Sequence, residues 1–279
     1  MNTHAYAKMG AATVLYGLTF PLTALILKDM GPLYLSAVRS LWSFIFFALY
    51  FLIRGYPRDP SYPILLGITI FGLVLPLIFQ NIGMLYTTAS LASIIQSTSP
   101  VFVVFLAFFF LKERLTITKT IGALIGILGT VIVMSQGAYG DSTFLGNVLI
   151  AGSSLSLAIL AVMEKSALSK HSPIEILGIT SMMGFPILLM VALSLESIPA
   201  FTVSSLGLTI VIALGCTVLP YFLWLDGLKD LEVSKAIVFS YGIPVFGMIF
   251  SVLLLGEMIT LRMLCGMAVI FLSIWMAQK

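Results

Sequence analysis

Long apolar runs alternate along the chain with short polar punctuation. Runs of roughly helix-spanning length occupy about 4–27, 33–53, 62–84, 89–111, 117–134, 144–163, 174–193, 203–225, 233–255 and 260–277. Between them lie segments such as "KDMGP", "RGYPRDPSYP", "SQGAYGDST" and "SKHSPIE". A helix needs about 20 mostly apolar residues to cross the hydrocarbon core of a bilayer. The pattern therefore predicts ten transmembrane helices with almost no mass outside the membrane, an all-α integral membrane protein.

Composition sharpens the class. The 279 residues are 60% hydrophobic and 9% charged, with a mean hydropathy of +1.14. A soluble domain averages about 25% charged residues, so a water-soluble fold could not hide this much apolar surface. The net charge of +3 carries no signal for nucleic acid; the lipid bilayer is the partner that composition implies. Cys216 and Cys265 sit in apolar runs without a partner motif and read as core thiols rather than a disulfide or metal site. The first run begins near Tyr6 with no basic region of any length before it, which favours a retained first span over a cleaved signal.

The positions of the basic residues orient the spans. With the N-terminus in the cytoplasm, Lys8, Arg54, Arg58, Lys112, Arg114, Lys119, Lys165, Lys170, Lys229, Lys235 and Lys279 fall at the inner face. Lys28 and Arg262 fall at the outer face, and Arg39 lies within the second span. Eleven inner cations against two outer ones place both termini in the cytoplasm, in the cell membrane.

The two halves echo each other. At an offset of 144 residues, Pro76 matches Pro220, Gly83 matches Gly227, and Pro100-Val101-Phe102 matches Pro244-Val245-Phe246. Leu111, Glu113, Thr116 and Gly122 likewise match Leu255, Glu257, Thr260 and Gly266, and Pro32 matches Pro173 at an offset of 141. The chain reads as a duplicated five-helix unit, residues 1–137 carrying helices 1–5 and residues 138–279 carrying helices 6–10. Five is odd, so the second copy crosses the membrane in the opposite sense. Inverted repeats of this kind underlie alternating access in secondary transporters.

Glu113, Thr116, Glu257 and Thr260 form matching turns ahead of spans five and ten. The threonines are placed to cap those helices, and the glutamates are expected to accept hydrogen bonds at the same helix starts. A substrate- or proton-binding role for the two glutamates is the alternative.

The segments "SIIQSTSPVFVVFLAFF" and "FLKERLTITKTIGALIGILG", with their counterparts "AIVFSYGIPVFGMIFSV" and "LLGEMITLRMLCGMAVIF", resemble the paired EamA modules of the drug/metabolite transporter superfamily. The resemblance spans nearly the whole chain. It implies ten helices around a central substrate cavity, cytoplasmic termini, and export or exchange of small metabolites such as amino acids. Tyr16-Gly17 stands where the family often has Trp-Gly, and Met258 replaces a basic residue.

Candidate cargo contacts follow from polar residues at depth. Pro100 and Pro244 lie near the midplane of spans four and nine, where each removes a helical hydrogen bond and frees a carbonyl one turn earlier. They are the candidate hinges. Gln96 and Ser99 in "QSTSP", and Ser240 and Tyr241 in "SYGIP", stand just before them. Such side chains line a cavity or satisfy the broken backbone. Gln80 and Asn81 are adjacent amides on span three, placed either for recognition or at the outer interface. Tyr16 and Phe20 share a face of span one, and Trp224 with Tyr221 lies toward the inner end of span eight, where an aromatic belt is the competing account. Arg39 either snorkels to the outer interface or faces the cavity and attracts an anionic group. Glu164 and Lys165 close span six by pairing with each other or the interface, or serve a proton relay. Gly122, Gly126 and Gly129 form a small-residue seam that packs helices within the chain or between two chains, so monomer and homodimer both remain open.

These features point to a secondary transporter for a small-molecule substrate, such as amino acids or related polar or amphipathic metabolites; a channel or non-transporting sensor is the alternative. No phosphate-binding loop accompanies the spans, which argues against direct ATP hydrolysis. His4 and His171 lie outside the span interiors, and ligand clusters are lacking, so neither a serine hydrolase nor a metal enzyme is expected, and no cofactor.

Overall fold

The structure is a computed structural model that describes residues 3–57, 62–103, 106, 117–134, 143–167, 170–228, 239 and 242–277. Ten helices account for them. Six are long and apolar enough to span a bilayer and four are shorter. In chain order they are α1 (Thr3–Ile26), α2 (Pro32–Arg54), α3 (Tyr62–Gly83), α4 (Ala89–Val103), α5 (Ile117–Met134), α6 (Phe144–Ala167), α7 (Pro173–Leu195), α8 (203–228), α9 (Gly242–Leu255) and α10 (Leu261–Ala277).

Helix starts carry their expected chemistry. Pro32 and Pro173 sit at the first turn of α2 and α7, where the missing N–H costs nothing. Thr88 Oγ1 accepts from Leu91 N at the start of α4, and Thr260 Oγ1 accepts from Met263 N at the start of α10. Gly256, at φ +68°, turns the chain out of α9 in the left-handed region that glycine enters most readily.

The packing is two-fold in pattern. Helix α1 packs on α8 and α9, and its repeat mate α6 packs on α3 and α4. The pairs α2·α7, α4·α9 and α5·α10 each join a helix to its own mate. Short connections make successive helices antiparallel, so five helices reverse the sense of the second repeat. The axis relating the repeats therefore lies across the bundle, as an inverted duplication requires.

Glycines permit the closest approaches. A Cβ at Gly17 would lie 2.9 Å from the backbone nitrogen of Gly247 and 2.7 Å from Phe246 Cβ, so α1 and α9 meet backbone to backbone. Gly126 and Gly129 face α10, where added Cβ atoms would meet Ser273 and Ile270, so this part of the small-residue seam is used inside the chain.

Helices α3 and α8 each contain a wider π turn, at Ile70–Val74 and Val211–Val218. Under the 144-residue repeat offset the first maps inside the second. Pro76 and Pro220 follow immediately, so the distortion belongs to the duplicated unit. Sequence periodicity did not foresee it.

Candidate functional site

Arg39 is buried within α2, 6% exposed, and does not snorkel. Its Nε and Nη2 donate to Thr217 Oγ1 at 2.9 and 2.6 Å. Thr217 in turn donates to Ile212 O, five residues back, a bond across the π turn of α8. The third guanidinium nitrogen, Nη1, is buried without a hydrogen-bond partner. Among the described residues no carboxylate lies within ion-pair distance of Arg39. A guanidinium carries five donors, so this one keeps capacity for an acceptor.

Tyr16 on α1 is half-buried and lies within electrostatic reach of both Arg39 and Glu164. Glu164, in the last turns of α6, accepts a hydrogen bond from the Tyr221 hydroxyl of α8. The carboxyl of Glu164 is thus turned toward α8, and its expected pairing with Lys165 falls on a side chain outside the described residues. Phe20 separates from Tyr16. It is 4% exposed and packs in a core cluster with Leu91, Ile94 and Met248, which makes it a packing residue here.

Both amides on α3 are buried within the protein. Asn81 Nδ2 donates to Ser36 Oγ at 2.8 Å and ties α3 to α2, while its Oδ1 and the Nε2 of Gln80 are buried without partners. Gln96 is half-buried and its Oε1 also lacks a partner. The carbonyl that Pro100 frees is that of Gln96, and it accepts from Ser154 Oγ of α6 at 3.1 Å. Pro220 frees Cys216 O, which accepts from Thr19 Oγ1 of α1 at 3.3 Å. Ser97 and Thr98 turn back on Ile94 O and Ile95 O, satisfying the backbone rather than facing a solute. Ser99 and Pro100 are half-buried beside the turn that interrupts α4 at 97–98; Trp224 is half-buried on α8, and Pro244 is buried in the first turn of α9. Ser240, Tyr241, Glu113 and Thr116 lie outside the described residues.

Glu257 requires a correction. Its two oxygens accept from Ala89 N and Ser90 N at 2.7 and 2.9 Å, at the start of α4 in the other repeat, not at the start of α10. The reach across repeats arises because α4 and α9 are packed mates. Glu196, which the sequence did not single out, does the same for α2, accepting from Leu33 N and Tyr34 N at 3.0 Å each. Gly31 makes room for it, since a Cβ there would lie 2.6 Å from Glu196 Oε2.

A cavity among the described residues lies away from Arg39. It measures about 580 Å³ between α2, α7 and α8 and is lined mostly by Phe46, Phe47, Tyr50, Phe222, Leu177 and Val218, with Tyr221 on its wall. Neither Arg39 nor the α3 amides line it. The pairing of Glu164 with Tyr221, and the Arg39–Thr217 bond, were invisible in sequence because each joins residues more than fifty positions apart.

The description of the EamA-like transporter family matches residues 6–135 and 144–277. An uncharacterized transporter of Archaeoglobus fulgidus is 28% identical over 265 residues, covering 95% of each chain. Two uncharacterized transporters of Bacillus subtilis, YvbV and YetK, are 28% and 30% identical, over 94% and 91% of this chain and 87% and 80% of theirs. A solved crystal structure of 18% identity shares the fold at a TM-score of 0.69, covering 96% of this chain and 94% of that one.

Proposed function

Since the chain belongs to the EamA-like transporter family, and so to the drug/metabolite transporter superfamily, we propose that it is a secondary transporter working by alternating access. The cargo is a small metabolite, an amino acid or a related polar or amphipathic compound, exported or exchanged across the cytoplasmic membrane, with both chain termini in the cytoplasm. The observation that carries this reading is Arg39. A buried guanidinium with an unused donor nitrogen, inside an inverted duplication, has no carboxylate beside it among the described residues. Burying a charge in lipid without a partner costs about 2.5–3.5 kcal/mol at a helix centre on insertion scales. A cargo carboxylate would supply the missing partner through a charge-assisted, forked hydrogen bond. Tyr16 lies within electrostatic reach of both this cation and Glu164.

The test begins with a thermal-shift screen of the purified protein against amino acids, amines, nucleobases and organic acids, since a ligand of the folded state raises the melting temperature. The hits are then measured for counterflow in proteoliposomes. Arg39→Ala is expected to reduce flux of carboxylate-bearing cargo by about tenfold or more, the effect of about 1.4 kcal/mol, and to leave a neutral cargo nearly unchanged. Equal losses on both, in folded protein, refute the role of Arg39; flux that never saturates makes the protein a channel.

A further inference from the structure

The π turn of α8 is held to neighbouring helices by side chains that its repeat mate lacks. Thr19 of α1 reaches Cys216 O, and Arg39 of α2 reaches Thr217. At the 144-residue offset Thr217 corresponds to Leu73, in the π turn of α3. At the 141-residue offset Arg39 corresponds to Thr180, in α7. Those two cannot form the same bond, because leucine has no polar side-chain atom. Leu73 packs on Gly184, where a Cβ would lie 2.4 Å from its Cδ2, and Thr180 Oγ1 donates to Ile176 O of its own helix at 2.8 Å. One molecule thus builds the turn with the clasp and without it, so the turn itself does not require Arg39.

The hydrogens of the clasp are determined. A threonine hydroxyl has one proton and two lone pairs. The Thr217 proton goes to Ile212 O, and both lone pairs accept, from Arg39 Nε at 2.9 Å and Nη2 at 2.6 Å. That occupies the side-on edge of the guanidinium, formed by Nε and the inner hydrogen of Nη2. The end-on edge, Nη1 with the outer hydrogen of Nη2, is left over, and Nη1 is buried without a hydrogen-bond partner. Two parallel N–H groups in one plane match the two oxygens of a carboxylate.

We infer that Thr217 is a positioning residue, which occupies one edge of Arg39 and so holds the Nη1/Nη2 edge ready for a carboxylate. That this carboxylate belongs to a cargo rests on the transport reading; the orientation of the guanidinium does not. Without Thr217 the guanidinium would turn about its last bonds, and an anion would have to order it on binding, which lowers affinity.

The experiment uses the full chain in nanodiscs, its arginines labelled with the heavy nitrogen isotope, and NMR signals of Arg39 assigned by their loss in Arg39→Lys. Acetate is the probe and acetamide its neutral counterpart. Acetate is expected to shift the Arg39 Nη signals saturably and to leave Nε, held on Thr217, nearly unmoved; acetamide should shift neither. Thr217→Val, which keeps the shape and removes the hydroxyl, should weaken acetate about tenfold or more. Thr217→Ser should recover most of that loss, which a packing defect would not allow, since serine fills less space than valine. The proposal is overturned if acetate moves Nε as much as Nη, or leaves Arg39 unmoved. Both results are read on the unaltered chain, so neither needs a variant to fold. Equal acetate affinity in folded Thr217→Val overturns it as well. Counterflow of a radiolabelled amino-acid mixture is measured separately. Counterflow together with acetate binding that ignores Thr217 keeps the transporter and overturns the positioning role. The expected acetate pattern without counterflow keeps that role and denies it an amino-acid cargo.

Discussion

Helices α2 and α7 are repeat mates, each opened by a proline, yet their N-termini are satisfied in different ways. At α7 the solution is local. Ser172 Oγ accepts from Glu175 N, and Glu175 returns a carboxylate to Ser172 N. At α2 it is remote, because the carboxylate belongs to Glu196, at the far end of α7, some 160 residues away. Helix α4 follows the remote pattern through Glu257. A local cap travels with its helix, whereas a remote one binds two helices together. All the connections involved in the remote clamps, α1–α2, α3–α4, α7–α8 and α9–α10, lie at one end of the bundle. At that end carboxylates bridge helices through backbone amides. The opposite end holds the aromatic cavity, the Glu164–Tyr221 bond, and a part-exposed ion pair of Lys8 with Asp226 at 2.8 Å.

The contrast can be broken at either kind of cap. Glu196→Ala and Glu257→Ala each remove two charge-assisted bonds, worth about 1.5–3 kcal/mol apiece before water takes their place. Each is expected to cost about 2–3 kcal/mol in denaturant titrations of the micelle-bound protein, and to raise hydrogen exchange at residues 33–34 or 89–90 respectively. Loss of stability without that local change would mean the clamps do not hold those helix starts. Ser172→Ala, which breaks the local cap, should cost about 1 kcal/mol and leave exchange at α2 and α4 unaltered. Asp226→Asn should have the smallest effect, under about 1 kcal/mol and weaker still in high salt, because the pair is about a third exposed. A larger loss would show that the Lys8–Asp226 end is held as firmly as the clamped one.

Much of the architecture was legible before any coordinates. Ten helices and the inverted duplication followed from run length and from matches such as Pro100 with Pro244, since lipid leaves the backbone few options. Pro100 also foretold which carbonyl would be freed, though not that Ser154 would take it. The site was less legible. Arg39 stood out as an ion within a span, but its orientation toward Thr217 depended on how α2 meets α8. Phe20 shares a helix face with Tyr16 and still belongs to the core, because α4 and α9 bring Leu91, Ile94 and Met248 around it. Glu257 looked like a local cap by spacing alone; only the pairing of α4 with α9 delivered it to Ala89 and Ser90.

The amino-acid order by itself determined the class, the number of spans and the doubling of the unit, because hydropathy and repetition are properties of the chain read in one dimension. Which helix each carboxylate serves, where the aromatic cavity opens, and which donor of Arg39 stays free were decided by tertiary packing. Those outcomes depend on distances between segments far apart in the chain, and a linear pattern carries no record of them.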